Sequence, residues 1–104
     1  MGVPLKHLPA AATAAVITIS AITGVAHEIE AVLWSYDAAP TGGNLKIESP
    51  SGTTLLSVDV TSAGVGFLPF SGSCIKGASG EALIITLASG AGAVVGKVNA
   101  IQRK

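Results

Sequence analysis

The chain has 104 residues, enough for one domain and too few for two. Hydrophobic residues make up 49% and charged residues 12%, about half the usual ~25%, and the mean hydropathy of +0.64 points to apolar surface that partner chains must cover. Six basic residues balance six acidic ones, so no basic field exists to hold nucleic acid, and the single cysteine, Cys74, excludes an intrachain disulfide or a cysteine-built zinc site.

In chain order, residues 1–12 carry Pro4 and Pro9, which remove backbone donors and hold the chain extended. They are expected to form an N-terminal arm, with Pro4, Leu5 and Leu8 docking on another subunit, ahead of one β-sandwich domain over residues 13–104. The apolar run over 8–26 follows Lys6 in the manner of a secretory leader. Thr13, Thr18, Ser20 and Thr23 interrupt it, however, and Ile17-Thr18-Ile19-Ser20-Ala21 alternates with period two, so a strand over 14–20 is expected, with no membrane partner.

A second strand is predicted over 27–36, ending at a turn over 37–43 where Gly42 and Gly43 permit positive φ. Asn44-Leu45-Lys46-Ile47-Glu48 alternates with Leu45 and Ile47 inward. Pro50-Ser51-Gly52 reverses the chain into a strand whose inward face is Leu56, Val58 and Val60, giving a hairpin. The segment 64–70 holds Phe67 and Phe70, and Pro69 within it argues for a sheet edge or a bulge. A short strand over 73–76, a turn over 77–80, a central strand over 82–88 apolar on both faces, and a last strand over 93–101 complete the chain, with Gly96 leaving room for a close neighbour. About seven or eight antiparallel strands must close their edges as a sandwich or barrel. The predicted class is therefore an all-β, jelly-roll-like β-sandwich; the alternative is an immunoglobulin-like sandwich, whose paired cysteines this chain lacks.

Signatures of chemistry are weak. Gly90-Ala91-Gly92-Ala93-Val94-Val95-Gly96 puts its third glycine one position too late for a dinucleotide loop and leads into a strand, so a hairpin turn is expected. His7 and His27 are the only imidazoles, and alternation separates His27 from Glu28 and Glu30, which argues against a metal centre. Ser35, Asp37 and His27 supply the residue types of a hydrolytic triad without a nucleophile elbow around Ser35. Cys74 reads as a small buried group, and the six acids are scattered. No enzyme, no cofactor and no small-molecule substrate are expected. Trp34 and Tyr36 share a strand face opposite Leu33, so an inward Leu33 would turn both aromatics outward, where with Phe67 and Phe70 they would anchor an oligomer; the competing expectation packs all four in the core.

The stretch Leu33-Trp-Ser-Tyr-Asp-Ala-Ala-Pro-Thr-Gly-Gly-Asn-Leu-Lys-Ile47, with Val58-Asp-Val-Thr61, Gly66-Phe-Leu-Pro-Phe70 and residues 92–98, resembles small proteins encoded among bacteriophage and prophage structural genes. The resemblance covers most of residues 30–100 and implies a virion component, a capsid decoration or cement protein with a jelly-roll fold. Such a protein would be a homotrimer bound to the major capsid protein on the capsid exterior after synthesis in the host cytoplasm. A phage fibre or tail-associated receptor-binding knob, and a secreted carbohydrate-binding module, are the rival expectations.

Overall fold

A computed structural model describes residues 2–7, 13–70 and 74–103. Nine strands follow one another with no helix among the described residues: β1 (Gly2–His7), β2 (Ala15–Ile19), β3 (Glu28–Tyr36), β4 (Gly43–Glu48), β5 (Thr54–Val60), β6 (Gly64–Pro69), β7 (Ile75–Lys76), β8 (Leu83–Leu87) and β9 (Gly96–Arg103). The β-branched bursts separated by Gly, Pro and Asn leave the chain no helical periodicity to bury, and all its pairings are antiparallel.

One sheet, sheet A, runs β1-β9-β3-β6 with β7 also on β3; the other, sheet B, runs β2-β8-β4-β5. The pairings are nested along the sequence: β1 with β9, β2 with β8, β3 with β6, β4 with β5. This is a long hairpin rolled up on itself, the pairing order of a jelly roll, with the short β7 added beside β6. Only β4 and β5 form a simple hairpin, closed by Thr53 N–H to the Pro50 carbonyl at 3.0 Å and Ser49 N–H to the Thr53 carbonyl at 3.0 Å.

Between the sheets lie Ile29, Val32, Trp34 and Tyr36 of β3, Leu45 and Ile47 of β4, Leu83, Ile85 and Leu87 of β8, and Val98 and Ala100 of β9, with Ala15 and Ile17 of β2. Leu45 and Ile47 are inward as the alternation predicts, and Leu56, Val58 and Val60 of β5 are half-buried behind them. Strand β8 lies between β2 and β4, which is why its whole sequence is apolar apart from Thr86. Strand β6 ends the sheet, so Pro69 falls on an edge. At Gly96 a side chain would stand 3.0 Å from both Leu87 Cδ2 and Tyr36 Cε1, the close approach the sequence implied.

Three expectations change. Residues 2–7 do not leave the body as an arm: they form β1, paired with β9 from Gly2–Arg103 to His7–Val98, and they supply the ninth strand. Residues 8–12, with Leu8, lie outside the described residues. The glycine-rich segment 90–96 is no hairpin, because β8 and β9 belong to different sheets and the loop crosses between them. Trp34 and Tyr36 point inward, at 9% and 1% exposure, while Leu33 points out at 38%. The cause is a register shift between Ile29 and Ala31, a bulge that inserts an extra residue and moves the buried set from the odd position Ile29 to the even positions Val32, Trp34 and Tyr36.

Candidate interaction surface

The two outer faces of the sandwich differ in chemistry. Cross-strand register on sheet A aligns Lys6, Asn99, Leu33 and Phe67 in one row across β1, β9, β3 and β6. The row on one side aligns Ile101, Ala31 and Pro69, and the row on the other aligns Lys97, Ser35 and Val65. Phe67 is 59% exposed and Val65 73%, with Leu33 and Ile101 also exposed. Between them the floor is low: one hollow is bounded by Ala31, Leu33, Phe67, Asn99 and Ile101, and a second, of about 400 Å³, by Leu5, Lys6, Leu33, Asn99 and Ile101.

Sheet B turns an outer face to solvent on which Val16 and Leu55 are exposed among polar side chains. Asn44 Nδ2 donates to Ser57 Oγ at 3.0 Å and to Asp59 Oδ1 at 3.1 Å, and Lys46 lies 3.6 Å from Glu48. Thr18 and Thr86 continue that face. The two most exposed large apolar side chains among the described residues, Val65 and Phe67, are both on sheet A.

The residues expected at an interface are dispersed. Phe67 is on the sheet A face; Leu5 and Phe70 are half-buried against the core, and the Phe70 N–H donates to the Glu30 carbonyl at 2.9 Å. Pro4 pairs with Ile101 in the β1–β9 ladder. The Trp34 indole lies against Gly66, where any side chain would strike the ring. Tyr36 donates its hydroxyl to the Ala88 carbonyl at 2.6 Å, and burial raises its pKa above the ordinary value, with a backbone hydrogen bond at Asn44 opposing. Of the four aromatics expected to anchor an oligomer, Trp34 and Tyr36 are thus inside the domain, Phe70 is half-buried and Phe67 is exposed. Ile101, Val65, Ala31 and Asn99 were not singled out from sequence, and Leu33 was weighed there as an inward residue; its outward direction follows from the phase of β3 after its bulge.

The groups screened for chemistry are occupied structurally. His27 is buried; its Nε2 donates to the Ser20 carbonyl at 2.8 Å, and its Nδ1 lies 3.3 Å from Gln102 Nε2. In the loop over 88–95, Val95 N–H goes to Asp37 Oδ1 at 2.8 Å, Ala91 N–H to Ser89 Oγ at 3.2 Å and Val94 N–H to the Ala91 carbonyl at 3.2 Å, leaving those donors committed within the protein. Ser49, also buried, donates to the Ala82 carbonyl at 2.8 Å and accepts from Ala78 N–H at 3.0 Å. Cys74 is half-exposed, against the buried position expected. Glu30 pairs with Arg103 at 3.6 Å. Among the described residues no group of three His, Cys, Asp or Glu side chains is placed to hold a metal ion. A shallow depression is lined by Trp34, Asp59, Thr61 and Ser62, with Trp34 9% exposed.

No protein-family model and no curated protein matches the chain. Among solved structures it is similar to a structure of Nora virus, at 16% identity and a TM-score of 0.25, over 99% of this chain and 56% of that one. The chain therefore spans little more than half the length of that structure's chain.

Proposed function

We propose that this chain is a non-enzymatic structural component of a virion, a bacteriophage capsid decoration or cement protein that docks on protein chains through the outer face of sheet A. The observation that carries the reading is a cluster on one face: Leu33, Val65, Phe67 and Ile101 are exposed together on sheet A, with Val65 and Phe67 the most exposed of the large apolar side chains described, while the outer face of sheet B sets Val16 and Leu55 among polar side chains. The resemblance of residues 30–100 to phage structural proteins agrees with it.

The mechanism is additive burial. Each copy covers apolar surface at the junction of major capsid subunits on the shell exterior, and modest contacts repeated by symmetry resist the pressure of the packaged genome. Burying one exposed Phe or Leu side chain fully contributes roughly 1.5–3 kcal/mol, so a cluster of four supplies useful affinity even after the cost of ordering the partners.

The test is binding of the purified chain to empty shells assembled from the major capsid protein encoded nearest to it. Saturable binding at a fixed ratio to the capsid subunit is expected, lowered at least tenfold in the double variant Leu33→Ser, Phe67→Ser. A wild-type chain that ignores the shells removes the virion reading, and unchanged binding by the variant removes this face as the docking surface.

A further inference from the structure

We infer that the partner on the outer face of sheet A is a second copy of this chain, related by a twofold axis parallel to the strands and passing between β9 and β3. The inference rests on the reading of this face as a docking surface and names its occupant. Under that axis the row Lys6-Asn99-Leu33-Phe67 meets itself reversed, so that Lys6 faces the second copy's Phe67 and Asn99 faces its Leu33. In the adjoining row Ile101 faces the second copy's Ala31. Large side chains thereby meet small or slender ones, in both directions at once.

The hollow beside Lys6, about 400 Å³ and floored by Asn99, lies where the incoming Phe67 ring arrives. The Lys6 ammonium, exposed in the free chain, then reaches the ring face, an attraction that strengthens once water is displaced. The three aligned rows carry two lysines and no carboxylate. An acidic partner is therefore not required, since the chain's own aromatic ring receives the cation. An axis across the strands is worse: it stacks Phe67 on Phe67, Leu33 on Leu33 and Lys6 on Lys6, knobs on knobs with like charges opposed.

Two sheets meeting in this way pack face to face about 10 Å apart with their strands nearly aligned. Four strands about 4.8 Å apart, with a rise of about 3.3 Å per residue, give a footprint on the order of 500 Å² per copy. The total of about 1,000 Å² is near the lower bound for a specific interface. The dimer is accordingly weak and concentration-dependent in solution, and the shell and the second copy compete for the same face.

Sedimentation velocity from micromolar to millimolar chain tests this, with circular dichroism confirming that each variant is folded. The expected result is a rise from one copy to two in the wild type, no rise in Phe67→Ser, retention in Lys6→Arg, and at least tenfold weakening in Lys6→Glu. A wild type that stays single at every concentration overturns the inference, as does dimerisation of Phe67→Ser at wild-type strength. Shell binding is read on the same samples. A single-copy wild type that still coats shells, and loses them on Leu33→Ser with Phe67→Ser, leaves the docking face standing without the twofold; a dimer that ignores shells supports the twofold and removes the virion reading.

Discussion

Trp34, turned inward by the bulge, has room for its indole because Gly66, its cross-strand partner, has no side chain to obstruct it. Replacing Gly66 by Ala forces the ring or the strand to move, and overpacking of this kind costs about 1–3 kcal/mol. Urea denaturation should show that loss, with Trp34 fluorescence shifting to the red as the indole gains water; an unchanged midpoint and spectrum would mean that the ring has room to spare. Tyr36 is bound differently, through its hydroxyl to Ala88. Tyr36→Phe leaves that carbonyl without this donor and should cost roughly 1 kcal/mol at neutral pH. Burial raises the folded-state pKa of Tyr36, so the unfolded chain ionises first, near its ordinary value of about 10. The stability tied to the neutral hydroxyl is complete below that pH and is lost as pH rises toward the higher folded value. Denaturation curves at pH 8 and pH 11 should therefore converge for wild type and Tyr36→Phe at the higher pH; a constant gap would contradict the assignment.

Strand β3 shows how one element is read twice. Up to Ile29 the odd positions are buried; past the bulge Val32, Trp34 and Tyr36 are. Adjacent residues thus belong to opposite surfaces, Val32 at 0% exposure and Leu33 at 38%. Val32→Ala should destabilise by about 2 kcal/mol through lost burial and a residual cavity, whereas Leu33→Ala should stay within about 0.5 kcal/mol. Equal losses in chemical denaturation would place the phase of the strand wrongly. The hairpin of β4 and β5 was legible from sequence because its alternation is unbroken from Asn44 to Glu48 and its turn residues are local. The direction of Leu33 was not, because nothing in Ile29-Glu30-Ala31-Val32 marks an extra residue that only pairing with β9 makes visible.

The whole molecule is held by pairings between distant parts of the chain. β9 lies between β1 and β3, so the last strand completes a sheet begun by the first. Removing residues 96–104 takes away the neighbour of both strands and the inward side chains Val98 and Ala100, and the shortened chain should show no cooperative thermal transition. A sharp transition by circular dichroism would mean that β1, β3 and β6 form a sheet without it. Non-local closure also makes folding slow, on the order of milliseconds to seconds for chains dominated by such pairing. The same topology divides the surface in two, and it is this division, not any single side chain, that gathers Leu33, Val65, Phe67 and Ile101 on the outer face of sheet A.

Composition and period-two alternation by themselves determined the all-β class, most of the strands, the β4–β5 reversal and the shortage of charge. These are local or additive properties, carried by each segment wherever it is placed. Tertiary structure alone decided that residues 2–7 pair with β9, that the loop over 88–95 crosses between sheets, and that Leu33, Phe67 and Ile101 share one open surface while Trp34 and Tyr36 do not. Alternation says which residues lie on the same side of a strand. Which side is buried is fixed only when a bulge sets the phase and a partner strand, remote in sequence, takes its place alongside.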